Sequence, residues 1–141
     1  MAKKLRKPEW ATQLRLVVEE YEEVPFEWGL HDCCLFAADC VYAMSGIDFA
    51  APFRGEYNSR SSALAAISQI GGGSLEMYLD DSIGAENRID PMFAFRGDVI
   101  LTHFDGMEML GVSEGRNALF KGIKGVVAIP LGQCKTAWRI R

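Results

Sequence analysis

The chain has only two histidines, His31 and His103, and no apolar run near the ~18 residues that a membrane-spanning helix needs. The missing run excludes a transmembrane helix, so no membrane partner is expected, and the scarcity of histidine confines any imidazole chemistry to two positions. The basic start leads into Pro8-Glu9-Trp10 instead of an apolar stretch, so no secretory leader is expected. On that reading the four cysteines are thiols in a reducing compartment, not a disulfide framework. No Gly-Lys-Ser/Thr follows Gly71-Gly72-Gly73, which leaves the triplet as a helix stop, not a phosphate loop. Internal repeats, low-complexity stretches and linkers are absent too. Acidic residues outnumber basic ones, 19 to 15, for a net charge of −4, and this balance argues against a nucleic-acid surface. The single basic cluster, Lys3-Lys4-Leu5-Arg6-Lys7, is expected to be a solvated tail or a protein contact.

What remains is an ordinary globular composition, 49% hydrophobic and 24% charged, expected to form one domain over residues 1–141. Residues 9–23 read as an amphipathic helix with Trp10, Leu14, Val17, Val18 and Tyr21 on one stripe, ended by Pro25. A second helix opens at Cys33 with Asp32 as N-cap, buries Cys33, Phe36, Ala37, Cys40, Val41 and Met44, and stops near Ser45-Gly46. Asp48 to Tyr57 has no period and reads as an ordered loop across the domain. A third helix capped by Ser61 or Ser62 runs through Leu64, Ile67 and Ile70, and residues 75–80 add a short helical turn. After Pro91 the pattern turns to strands: Gly97 to Leu101, an Asp105-Gly106 hairpin, Met107 to Val112, Ala118 to Phe120, Val126 to Leu131 and a closing segment, Gln133 to Trp138. Helices followed by an antiparallel meander make an α+β layout.

The stretch Trp28-Gly29-Leu30-His31-Asp32-Cys33 concentrates the chemistry. Cys33 in the first helical turn meets unpaired N–H groups and partial positive charge, which favour thiolate. The competing reading is that Cys33, Cys34 and Cys40 are ordinary buried cysteines. A metal site from His31, Cys33, Cys34 and Cys40 has poor spacing and no second Cys/His pair elsewhere, so neither a metal nor a cofactor is expected. Asp39, inside a mostly apolar helix, requires a partner, with Arg54 or Arg96 the candidates. Asp98 reads as a hydrogen-bonder at a strand start, Trp28 and Trp138 as core aromatics, and Arg54 and Tyr57 as anchors of the long loop over the Cys33 helix.

The order Trp28-Gly29, Asp32-Cys33, Arg96-Gly97-Asp98-Val99-Ile100 resembles the NlpC-like branch of the papain fold, the cell-wall cysteine peptidases. A closer resemblance, over most of the chain, is to a family of small proteins encoded among the tail-tip genes of tailed phages and prophages. It rests on Trp28 to Asp39, Phe53-Arg54-Gly55-Glu56-Tyr57, Arg96 to Val99, Leu110-Gly111-Val112, Gly115 to Phe120 and Ala137-Trp138-Arg139. The resemblance implies a papain-like NlpC-type domain in which a central Cys-bearing helix packs on a C-terminal antiparallel meander. In the peptidases a thiolate attacks an acyl group while a His serves as base and then acid. That His stands two residues before the Gly of the second meander strand, and a polar residue orients it. Matching the Gly to Gly111 puts Met109 at the His position and brings the orienting position near Phe120, and neither side chain handles protons.

The resemblance therefore implies a structural or assembly protein of a phage tail tip or baseplate, catalytically degenerate, with tail-tip or hub proteins as partners. Its place would be the virion tail, or the host cytoplasm during assembly. The alternative is an active peptidase or amidase cleaving peptidoglycan during DNA entry, with Cys33 as nucleophile and His103 as base. That pairing needs a bent hairpin, because on a straight strand His103 lies at the far end beside Asp105-Gly106.

Overall fold

The computed structural model describes residues 5–141; Lys3 and Lys4 of the basic cluster lie outside the described residues. Among these, the helices are α1 (Trp10–Glu23), α2 (Cys33–Ser45), α3 (Arg60–Gln69) and α4 (Leu75–Leu79). Six strands follow: β1 (Arg88–Ile89), β2 (Val99–Phe104), β3 (Met107–Ser113), β4 (Asn117–Gly122), β5 (Gly125–Pro130) and β6 (Thr136–Trp138). They form one antiparallel sheet in the order β1-β6-β2-β3-β4-β5, so the expected α+β layout is present. No helix among the described residues is long and apolar enough to cross a membrane.

The meander is β2 to β5, as the turn signals indicated. Asp105 and Gly106 both take positive φ (53° and 73°), the geometry of a two-residue hairpin turn whose twist matches its strands. The last strand, β6, crosses back to the other side of β2, and β1 pairs with it outside. At two residues, β1 is too short to carry an alternation pattern and could not be read from sequence. The third helix also begins earlier than expected. Ser59, not Ser61 or Ser62, is its N-cap, and Ser62 completes the capping box from the third position.

Helix α2 is the centre of the core. Leu35, Phe36, Ala37, Ala38, Cys40, Val41 and Met44 are buried, and they meet Val99, Leu101, Leu110, Val112 and Trp138 of the sheet beneath. Small side chains at Ala37, Ala38 and Cys40 let the helix lie close between α1 and β3. Gly46 ends it in the left-handed conformation, the common helix C-terminal device. Helix α1 is fixed from below by Lys121 of β4, whose buried ammonium donates to the carbonyls of Tyr21 and Val24 at 2.7 and 2.6 Å. Burial holds this amine below its ordinary pKa, and Glu22 pulls the other way. Glu22 also accepts the N–H of Val126, and Pro130 has none to offer, so the outer edge of β5 presents little to a further strand.

The far face of the sheet carries a smaller cluster of Ile100, Ala118, Phe120 and Ala137 under Ala94 and Leu131. The segments Pro91–Phe93 and Leu131–Gln133 cover only one end of it. Arg6 belongs to the basic cluster expected as a solvated tail or a protein contact, and in the structure it is a strap on the domain itself. Its guanidinium donates to Asp98 at 3.0 Å and to the carbonyls of Arg96 and Ile140, while the N–H of Lys7 reaches Met44. Asp98 also accepts from the N–H groups of Phe95 and Ile140, the strand-start role expected of it. Trp138 is a core aromatic as expected, with its indole N–H on Asp80 at 3.0 Å.

Arg88 joins the sheet edge to the α4 region, making ion pairs at 2.8 Å with both Glu76 and Asp80 and lying over the Trp138 ring. The hydrogen bonds to Lys135 and Arg88 hold Glu76 below its ordinary pKa, and those to Arg88 and Trp138 do the same for Asp80. A depressed carboxylate contributes stability above its unfolded pKa and loses it as the pH falls through its folded pKa. Arg88→Ala is therefore expected to cost about 1 kcal/mol at neutral pH, the pairs being partly solvent-screened. In urea titrations the difference from wild type should hold down to about pH 5 and shrink as the carboxylates protonate below about pH 4. A difference that stayed constant to pH 3 would assign the effect to packing on Trp138 alone.

Candidate functional site

The site begins at the cap of α2. Asp32 is buried and its carboxylate accepts three hydrogen bonds: from the N–H of Leu35 at 2.9 Å, from the N–H of Gly29 at 2.9 Å and from the Tyr57 hydroxyl at 2.6 Å. The first is the N-cap bond; the other two draw the preceding turn and the long loop onto the helix start. Gly29 has a positive φ of 87°, and a Cβ there would stand 2.2 Å from the carbonyl oxygen of Tyr57. The Trp28-Gly29 and Gly55-Glu56-Tyr57 motifs are thus two sides of one contact. Two helical turns further on, Asp39 accepts from Arg54 at 2.7 Å and from the Tyr21 hydroxyl at 2.5 Å, and Arg54 continues to Asp48 at 2.8 Å. Arg54 is the partner that Asp39 required; Arg96 lies elsewhere, beside Arg6.

Cys33 follows the cap and faces the place where β3 and β4 part. Their ladder pairs only Val112 with Leu119 and Ser113 with Ala118. Counting alternate pairs back from the Phe104–Met107 turn, Leu110 points its N–H away from β2, into the gap. Close approach higher in the ladder explains Gly111, where a Cβ would meet the Leu119 carbonyl at 2.1 Å. The gap opens into an apolar cleft of about 580 Å³ on the far face of the sheet. Its walls include Phe26, Trp28, Cys33, Met107, Met109, Phe120 and Ile129, with Phe104, Ile123 and Val127 at the mouth and Arg60, Asp105 and Lys124 around it.

The structure therefore brings Cys33, Met109 and Phe120 to one cavity and leaves His103 out of its wall. His103 is exposed near the end of β2, opposite Glu108, on the sheet face that bears Val99 and Leu101. His31 packs edge-on against Tyr21, with ring centres 5.4 Å apart. Trp28, expected in the core, is only half-buried. It stands edge-on to Phe26 at 5.0 Å and forms cleft wall, because Gly29 turns the chain just before the buried cap.

The electrostatics oppose a thiolate. Burial pushes the Cys33 thiol up to about 12; the Leu110 amide draws it down, Asp32 raises it, and the amides of Cys34 and Cys33 again lower it. The partial charge of the helix start is outweighed by desolvation and by the carboxylate one residue away. Among the cleft's charged residues, Lys121 is committed to α1 and Arg60 pairs with Asp105 at 3.5 Å. None is placed as a base for sulfur. No group of three His, Cys, Asp or Glu among the described residues is arranged to hold a metal ion. What the arrangement offers is an apolar hollow with more cations than carboxylates around it and a protonated thiol in its wall. Sequence reasoning identified Cys33, Met109 and Phe120. It missed Phe26, Trp28, Ile123 and Val127, although an isoleucine at the tip of a two-residue hairpin was a usable signal.

Two measurements check this geometry. Gly29→Ala is expected to destabilise the protein by roughly 3 kcal/mol, from left-handed strain plus the clash with Tyr57, and Tyr57→Phe by about 1–3 kcal/mol. Equilibrium unfolding reads both, and a neutral Gly29→Ala would separate the two loops. Iodoacetamide should label Cys33 at pH 7.5 on the order of 10²-fold more slowly than free cysteine, with a rate still rising at pH 10. Peptide mapping by mass spectrometry follows the site, and a plateau below pH 8 would contradict the neutral thiol.

Searches of curated proteins and of solved structures found no match to this chain. The family model described as domain of unknown function DUF6950 matches residues 5–140, nearly the whole chain, from the Arg6 strap through the last strand. The chain belongs to the DUF6950 family.

Proposed function

We propose that the protein is a structural or assembly component of a phage tail tip, built on a papain-like NlpC-type domain whose catalytic centre has lost its base. One observation carries the reading: Cys33, Met109 and Phe120 line a single cleft. Those are the positions at which the resemblance to the peptidases calls for nucleophile, base and orienting group. Nucleophile and base must come within about 3.2 Å for proton transfer, and a thioether and a phenyl ring supply no such partner. The order of elements, with the cysteine helix before an antiparallel meander, supports the same reading. Such a protein acts in the virion tail or in the host cytoplasm during assembly, through contacts with tail-tip or hub proteins.

The reading has a direct test in Met109→His. An imidazole at that position faces the cleft that holds Cys33 and should accelerate alkylation of Cys33 at pH 7.5 by at least about tenfold. An unchanged rate would remove the correspondence on which the proposal rests. Incubation with purified peptidoglycan, read by mass spectrometry, should yield no fragments from wild type or from Cys33→Ala. Fragments from wild type alone would instead establish a peptidase or amidase and direct attention to His103. Pull-down with tail-tip and hub proteins of a phage encoding this chain should retain at least one of them.

A further inference from the structure

A second concavity lies away from the Cys33 cleft, where the N-terminal strap meets the start of β2 and the end of β6. It has a volume of about 680 Å³, and its walls are mainly carbon from Trp10, Phe95, Ile140 and arginine stems. Four arginines surround it: Arg6, Arg96, Arg139 and Arg141. Its one side-chain carboxylate, Asp98, is consumed by Arg6 and by the N–H groups of Phe95 and Ile140. Arg6 is itself committed, lying over the Trp10 ring at 4.3 Å. Arg96, Arg139 and Arg141 make no ion pair among the described residues, and the buried Nε of Arg139 has no acceptor. A chain of net charge −4 thus gathers three uncommitted guanidinium groups around an apolar hollow. At its mouth Phe95 is 71% exposed; two residues earlier Phe93 is 69% exposed, and the buried Ala94 between them turns both rings outward.

We propose that this hollow docks an acidic segment of a partner protein, an apolar side chain seated between Trp10 and Phe95 and flanking Asp or Glu carboxylates paired with Arg96, Arg139 and Arg141. Exposed aromatic rings beside arginines are the composition of protein-binding hot spots. Planar guanidinium groups bind carboxylates in pairs. A polyanion such as nucleic acid fits less well, since the acidic remainder of the molecule repels it and the walls of the hollow are carbon. The inference stands on the arginines and the exposed rings, independently of the Cys33 cleft.

The test uses a fluorescein-labelled peptide alternating Asp or Glu with Leu or Phe, and a second peptide with each acid replaced by its amide. Fluorescence anisotropy should show the acidic peptide binding wild type at least tenfold more tightly than the amide peptide. Arg96→Glu and Phe95→Ala should each weaken that binding at least tenfold, with circular-dichroism melting confirming that these exposed substitutions leave the fold intact. Raising NaCl to 0.5 M should weaken it too, by screening the carboxylate pairs. Equal binding of the two peptides, or full binding by Arg96→Glu, would overturn the proposal. Complete displacement by millimolar inorganic phosphate would make the hollow a small-anion site instead. Sedimentation showing a dimer of the free protein that Arg96→Glu abolishes would make the occupant a second copy of the chain.

Discussion

The Asp32 carboxylate is the constraint on which the rest of the site depends. It is almost fully buried, and three hydrogen bonds from three different segments converge on it. A buried carboxylate short of such donors is expensive, so the Trp28-Gly29 turn, the start of α2 and the Tyr57 loop are held together by one requirement. The price is chemical. The negative charge that organises the helix start stands next to Cys33 and disfavours a second negative charge on sulfur. The same residue that positions the thiol helps to keep it protonated.

The sheet supplies the other half of the arrangement. Strands β3 and β4 pair for only two residues before separating, and the separation admits both the cysteine end of α2 and the cleft beyond it. Gly111 permits the close approach just before they part, and Lys121 ties the departing strand to the last turn of α1. These are backbone and packing features, and they make the cleft a consequence of how the helices sit on the sheet. Its apolar walls suit side-chain burial better than proton transfer.

A second charged system operates at the opposite end of the sheet. Asp98 and Arg6 close the core where the first long strand begins, and Arg88 with Glu76 and Asp80 closes it where the short strands end. Burial raises the Asp98 pKa despite three donors, so that group titrates opposite in sense to Glu76 and Asp80. Beside Asp98, Arg96, Arg139 and Arg141 make no ion pair among the described residues, whereas Arg88 is neutralised by Glu76 and Asp80.

The sequence by itself determined the features governed by local rules. The cap at Asp32, the stop at Gly46, the Asp105-Gly106 hairpin and the amphipathic stripe of α1 each depend on residues within a turn or two, so periodicity and turn chemistry sufficed. The demand of Asp39 for a cation was also legible, since a charge inside an apolar helix must be answered, and Arg54 answers it. Only the tertiary structure decided which strand lies beside β2, that Arg6 straps onto the start of that strand, and that Trp28 is cleft wall instead of core. It also decided that Met109 and Phe120 share the cavity of Cys33 while His103 does not. Those outcomes depend on how far two strands diverge and which face of a twisted sheet a helix covers, and such quantities come from long-range packing that no local pattern encodes.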